Sequence, residues 1–315
     1  MSPLREALTQ YVAVRRALGT QLREPAVTLG HFVEFLEREG AEFITLDLAL
    51  RWATKPHGVQ HATWARRLTG VRRFAAWLRA TDPRTQVPPS RLLDGRRPRH
   101  QSHIFTDQET AQLMAAASRL SSPKGLRGHT YTTLIGLLAT TGLRPGEALA
   151  LQCADVDLRH GILCIRQTKF GKSRFVPVHE STRAALAGYA TRREACGGRD
   201  PHDTFFVSER KRRLPSCTAR RTFARLSCAV GLRAMTARRR FGRGPRLQDF
   251  RHTFATRTLV AWYRAEVDVE RELPTLSTYL GHVDVAHTYW YISAVPELLQ
   301  LATERLCERR LGGAS

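Results

Sequence analysis

The chain of 315 residues has no apolar run that approaches membrane-spanning length. Its opening segment, Leu4 to Leu18, carries Arg5, Glu6, Arg15 and Arg16, which breaks up any signal-peptide core. Cysteine is sparse: six residues, at 153, 164, 196, 217, 228 and 307, with no CxxC pair and no Cys/His zinc spacing. These read as reduced thiols of a cytoplasmic protein. No carboxylate cluster is suited to paired magnesium ions, and Asp155 and Asp157 read as structural residues of a short turn. The expectation is therefore no metal and no cofactor.

Negative charge is also in short supply. Against 50 Lys+Arg stand 28 Asp+Glu, a formal net charge of +22. Such an excess repels itself in a compact fold unless a polyanion relieves it, which points to nucleic acid. The alternative is a solvated basic surface without a partner. From Arg210 to Gln248 there are 13 basic residues and no acidic one, including Arg220, Arg221, Arg238, Arg239 and Arg240. Arginine dominates the stretch, which favours bidentate phosphate contact over a diffuse lysine field. The interleaved Leu214, Phe223, Leu226, Val230 and Leu232 predict a helix with one apolar side.

Residues 1–90 read as all helical. Leu4, Leu8, Tyr11, Val12 and Leu18 mark one apolar face; Leu29, Phe32, Val33 and Leu36 mark a second. Thr45 opens a third helix, and Trp64, Leu68, Val71, Ala75 and Leu78 mark a fourth. The other side of the fourth carries Arg66, Arg67, Arg72 and Arg73, expected to lie against a phosphate backbone or simply to face solvent. Residues 91–103 form a basic linker, and 104–315 a second domain. There Thr106 and Glu109 have the form of a capping box, Tyr131 to Thr140 a helix stopped by Gly142, and Pro145 the first turn of the next, continued by Glu147 to Leu151. Ile162–Ile165 and Arg174–Val178 pair as a hairpin around Phe170-Gly171. The fold class is mainly α, with a small antiparallel sheet in the second domain.

Three short segments carry the chemistry: Thr141-Gly142-Leu143-Arg144-Pro145-Gly146-Glu147, Gln248-Asp249-Phe250-Arg251-His252-Thr253, and Leu280-Gly281-His282 followed nine residues on by Tyr291. Breaking a phosphodiester without a metal needs a nucleophile, cations on the phosphoryl oxygens, a proton donor for the leaving oxygen, and positioning. Each segment is a weak signal alone. In this order and spacing they resemble the tyrosine recombinase (phage integrase) family, over essentially the whole chain. The resemblance implies a helical core-binding domain that clamps DNA and a mostly helical catalytic domain. It also makes Thr288 to Glu297 similar to recombinases of bacterial mobile elements.

Carried over residue by residue, Arg144 and Arg251 match the arginines that clamp the phosphate. His282 matches the histidine that hydrogen-bonds it, and Tyr291 the nucleophile. Tyr289, two residues earlier on a helix, would point away. Lys169 at the hairpin tip matches the general acid, with Lys172 a backbone contact, and Glu147 would orient Arg144. One position departs from the family: Gln248 stands where a histidine is usual. Its amide donates to a phosphate oxygen but takes no proton from tyrosine, leaving His252 or water for that step. The implied partners are double-stranded DNA and three further copies of the chain in a tetramer on paired sites, with other recombinases of the same element as further candidates. The implied setting is the bacterial cytoplasm, at the nucleoid. Leu298, Leu301, Ala302 and Leu306 recur at helical spacing and would form a tail helix that docks on a neighbouring protomer, as the resemblance implies, or packs on its own domain. The main expectation is a site-specific recombinase working through a 3′-phosphotyrosyl intermediate. Two alternatives stay open: a non-cleaving DNA-binding homologue, favoured by Gln248, and a type IB topoisomerase.

Overall fold

A computed structural model describes residues 2–20, 22–95, 102–166, 173–197, 203–235, 241, 243–282, 284–293, 298–300 and 303, apart from the side chains of Arg23, His287, Trp290, Ile292 and Ser293. Lys169, Lys172, the Phe170-Gly171 turn, Arg238, Arg239, Arg240, the Trp290 side chain, most of the basic linker and most of the tail lie outside the described residues. The chain divides into two units, Met1–His100 and Gln101–Ser315. No helix among the described residues is long and apolar enough to cross a membrane.

The first unit is four helices: α1 (Pro3–Ala17), α2 (Arg23–Arg38), α3 (Leu46–Thr54) and α4 (His61–Leu78). Ser2 and Thr45 accept from the backbone N–H groups of Arg5 and Leu48, satisfying orphan donors at the starts of α1 and α3. Phe32, Val33, Leu36, Ile44, Val71, Phe74 and Ala75 are wholly buried in one core. Leu18 departs from the expected face. It lies past the last turn of α1, as its C-cap, and is 73% exposed.

Arg67 departs too. Its guanidinium stacks 3.7 Å from the Trp52 ring centre and donates to the Trp52 carbonyl at 2.8 Å. Partly desolvated, such a cation–π contact is worth about 1–2 kcal/mol. Arg67 therefore braces α4 against α3, while Arg66 and Arg73 stay exposed and Arg72 is half-buried.

In the second unit α5 (Asp107–Ser118) begins with the Thr106–Glu109 capping box, both reciprocal bonds being present. Next come α6 (Leu126–Thr141) and a single helical turn, α7 (Pro145–Ala148), which stops short of the expected Leu151. Three short strands follow, β1 (Val156–Asp157), β2 (Ile162–Ile165) and β3 (Arg174–Pro177), antiparallel in the order β1-β2-β3 with Ile165 opposite Arg174. Asp155 pairs with Arg166, and Asp157 accepts from His160, so both serve the turns around β1. The rest is helical: α8 (Glu180–Ala195), α9 (Ser216–Ala229), α10 (Asp249–Arg264), α11 (Val269–Leu280) and α12 (Ala286–Ser293).

Two apolar clusters organise this unit. The larger gathers α5, α6, the sheet, α8 and α9 around Phe105, whose ring stacks on Phe250 of α10 at 4.1 Å between centroids. The smaller joins α10, α11 and α12 through Ala255, Leu259, Leu273, Leu280, Tyr291 and Leu298. Leu298, one of the residues marking the tail helix, is fully buried in its own unit, the second of the two expected alternatives at that position. The start of α10 is fixed by Asp249, 0% exposed, which accepts from the Arg246 backbone at 2.9 Å and from its guanidinium at 3.1 Å.

Candidate active site

The site forms where α6, α10 and α11 meet, and its frame is the C-terminal end of α11. The last carbonyls of a helix have no partner within the helix and carry its negative dipole end. Here three arginines take three of them. Arg174 Nε donates to the Tyr279 carbonyl at 2.8 Å, Arg251 Nη2 to Leu280 at 2.7 Å, and Arg144 Nη2 to Gly281 at 3.2 Å. Arg251 Nη1 also donates to the Gly142 carbonyl at the end of α6, at 3.1 Å. Arg251 thus bridges two helix ends.

Two glycines make this approach feasible. Gly142 and Gly281 both end their helices with left-handed backbone, φ +60 and +69. A Cβ on Gly142 would come within 2.6 Å of Phe254, and one on Gly281 within 2.7 Å of Arg174. Gly142→Ala is expected to cost about 1–2 kcal/mol for the backbone conformation alone, with displacement of Phe254 in addition. A melting temperature at least about 2 °C below wild type would follow for a unit of this size, and an unchanged melting temperature would refute the close packing.

Arg251 is 2% exposed. Burial first, and the charge of Arg144 second, lower its pKa to about 10, against the raising influence of Tyr291 and Glu147. It stays cationic at neutral pH. The Tyr291 phenol acts on this guanidinium electrostatically. Tyr291 is 4% exposed, whereas Tyr289 is 51% exposed. The Tyr291 ring lies between two imidazoles, His252 edge-on at 5.3 Å and His282 stacked at 6.0 Å between centroids. His282 is fixed from below by Nδ1 against the Thr288 hydroxyl at 2.8 Å.

Arg144 is the more accessible cation, its side chain 34% exposed. Glu147 holds it with Oε1 at 2.7 Å from Nη1 and with Oε2 at 3.1 Å from the Arg144 backbone nitrogen. Burial pushes the Glu147 carboxyl up, but Arg174 and then Arg144 outweigh it and leave it below the usual carboxylate range. Gln248 occupies the N-cap position of α10, three residues before Arg251, without a side-chain capping hydrogen bond.

The structure therefore brings Arg144, Glu147, Arg251, His252, His282 and Tyr291 together, with Gln248 at the neighbouring helix start. Lys169 belongs to the segment outside the described residues. Arg220 and Arg221 are exposed on α9, away from this cluster in the chain. Part of the basic stretch binds its own backbone: Arg233 donates to the Pro245 carbonyl, and Arg213, though exposed, donates to Leu149 at 3.3 Å. Reading by motif passes over two participants. Arg174 carries a signal in its strand, because it shares a face with Val176, which is wholly buried. Thr288 carries no comparable signal.

Known proteins match this chain over most of its length. An integrase/recombinase of Sinorhizobium fredii, y4rB, is 47% identical over 314 residues, covering 98% of each chain. The tyrosine recombinase XerD of Caulobacter vibrioides is 29% identical over 270 residues, covering 86% of this chain and 81% of its own. Among solved structures, the Tn1549 transposon integrase in complex with transposon right-end DNA superposes with a TM-score of 0.62 at 16% identity, covering 98% of this chain and all of that one. A lambda integrase dimer on a core site gives 0.62 at 18% identity, covering 91% and 76%. The Phage integrase family model matches residues 103–297, the stretch that holds both arginines, the histidines and the tyrosine. By that match and by its relatives, the chain belongs to the phage integrase family of tyrosine recombinases.

Proposed function

We propose that the chain cleaves and rejoins DNA at specific sites through Tyr291. The phenol oxygen attacks the scissile phosphorus, forming an O–P bond to the 3′ side. The bond to the 5′ oxygen breaks, the phenol proton leaves, and the 5′ oxygen takes up a proton. The phosphotyrosyl ester keeps the energy of the broken bond, so a new 5′ hydroxyl reverses the step without ATP. One observation carries the reading: Tyr291 is buried within the cation cluster, its ring against His252 and His282 and its phenol acting on the Arg251 guanidinium.

Each group then has a role. Arg144 and Arg251 neutralise the nonbridging oxygens as charge builds on phosphorus. His282 donates a further hydrogen bond, and Gln248 donates from its amide. His252, edge-on to the Tyr291 ring, or a water would receive the phenol proton. Lys169, by family resemblance, would protonate the leaving oxygen. The first unit would clamp the duplex as the core-binding domain, residues 91–103 serving as the linker and 104–315 as the catalytic domain. A lambda integrase structure with a TM-score of 0.60 to this chain is a tetramer on a Holliday junction, which supports four protomers on two duplexes here. The Tn1549 transposon integrase supports a mobile-element setting here, and the bacterial cytoplasm is the compartment we propose.

The test is a duplex nicked just beyond the scissile phosphate, so that the released fragment diffuses away and the adduct accumulates. A protein–DNA band that survives denaturant is the expected result. A second reading, a DNA-binding homologue that does not cleave, is favoured by Gln248, and tight binding with no adduct would establish it.

Binding should be steeply salt-dependent, because each phosphate contact releases condensed counterions. With about six contacts, affinity should fall on the order of 10³-fold between roughly 50 and 200 mM salt. Arg220→Glu with Arg221→Glu should weaken binding alike on unrelated sequences. A flat salt dependence measured by fluorescence anisotropy would count against a phosphate-tracking surface.

A further inference from the structure

Arg174 opens β3, and its side chain is only 11% exposed. It is fully engaged. Nη2 donates to Glu147 Oε2 at 2.8 Å, Nη1 to Glu147 Oε1 at 3.3 Å, and Nε to the Tyr279 carbonyl at 2.8 Å. Gly281 lies against the same guanidinium. No atom of Arg174 needs to reach a substrate for it to matter.

The reason is charge. Glu147, its side chain 9% exposed, touches both Arg144 and Arg174. A buried carboxylate facing Arg144 alone would cancel the charge that Arg144 brings to an incoming phosphate. With Arg174 paired to both carboxylate oxygens, the Glu147 charge is already matched. Glu147 then acts on Arg144 as a geometric constraint: one oxygen on the guanidinium, the other on the backbone nitrogen that begins α7. Arg174 also ties β3 to the end of α11, just ahead of His282.

We propose that Arg174 is a positioning residue for strand cleavage, which neutralises and immobilises Glu147 so that Glu147 aims Arg144 without consuming its charge. The inference rests on the phosphotyrosyl reading above. Its consequences differ from those of a merely structural residue. With Arg174→Met, Glu147 keeps its ion pair with Arg144 and the nearby charge of Arg251, but loses the cation paired to both its oxygens and gains a tendency to hold a proton. A carboxyl whose folded pKa is raised favours the fold below that pKa and loses the benefit as pH rises. The variant's deficits should therefore shrink toward acid pH, where protonated Glu147 releases Arg144.

The experiment compares wild type, Arg174→Met, Arg174→Lys and the double variant Arg174→Met with Glu147→Gln. Single-turnover cleavage of nicked duplex is followed from pH 5.5 to 8.5, alongside duplex affinity and melting temperature. Arg174→Met should cleave about 10²-fold more slowly at neutral pH, the scale of a misplaced catalytic group, with duplex affinity unchanged. Its deficit should narrow as pH falls. The double variant should recover part of the rate, because the unmatched carboxylate is gone. Arg174→Lys, which keeps the charge without the fork, should fall between, and carries the same comparisons if the Met variant does not fold. Wild-type rates in Arg174→Met, or a double variant no faster than the single, would overturn the proposal. If wild type itself forms no adduct, the cleavage reading fails and the cleavage role of Arg174 fails with it. The pH dependence of melting then shows separately whether Arg174 neutralises Glu147.

Discussion

Tyr291→Phe should reduce the covalent protein–DNA adduct to background while leaving duplex affinity and stability close to wild type. The ring is 4% exposed within the small cluster of α10, α11 and α12, so its apolar body is a packing element that phenylalanine reproduces. Only the hydroxyl goes, and with it the nucleophile. The interaction lost with Arg251 should cost about 1 kcal/mol at most, since that guanidinium keeps two carbonyl partners. Tyr289→Phe is the control: that ring is 51% exposed and the loss of its hydroxyl should leave the adduct intact. The assay is denaturing electrophoresis of a labelled nicked duplex. Adduct with Tyr291→Phe but none with Tyr289→Phe would move the nucleophile to Tyr289.

Arg251→Lys should be the most damaging of the charge-conserving changes. The planar fork reaches Gly142 at 3.1 Å and Leu280 at 2.7 Å from separate nitrogens. A single ammonium on a flexible stem does not hold both carbonyls and also meet Tyr291. Leaving a buried carbonyl unsatisfied costs about 1–3 kcal/mol, which urea denaturation would read directly. Losing one preorganised donor to the transition state costs about 10²- to 10³-fold in rate, which single-turnover cleavage would read. Wild-type cleavage by the Lys variant would mean that the phosphate sits elsewhere.

Local rules carried much of this molecule. Apolar spacing places α1, α2 and α4, and turn chemistry places the Thr106–Glu109 capping box and the β2–β3 pairing. The order of the motifs singles out Arg144, Arg251, His282 and Tyr291, which converge in space. What was not legible is what a long polar side chain chooses. Arg67 and Arg73 sit on one helix, yet one folds onto Trp52 and the other stays in solvent. Nothing within a few residues of Arg67 reports that Trp52 is near. Arg174 had an inward position in its strand, but its partners, Glu147 and Tyr279, are 27 and 105 residues away. Leu18 followed the helical period of α1 and failed because the helix ends before it. The two-residue β1 is too short for alternation to register.

Tyr291, the proposed nucleophile, belongs to the smaller of the two apolar clusters, whereas Phe250, the residue before Arg251, belongs to the larger. That division has a kinetic side. Proteins open in cooperative pieces, and a small cluster at one edge can open at lower free energy than the main core. Here such an opening would withdraw Tyr291 from Arg251 while leaving α6 and the start of α10 folded. Reactivity would then be gated by a local equilibrium invisible to a global denaturation curve. Native-state hydrogen exchange would see it as weaker protection of the amides of α12 than of α6. DNA that engages the assembled site should slow exchange in α12 selectively, because ligand binding to the closed form suppresses opening in proportion to its occupancy.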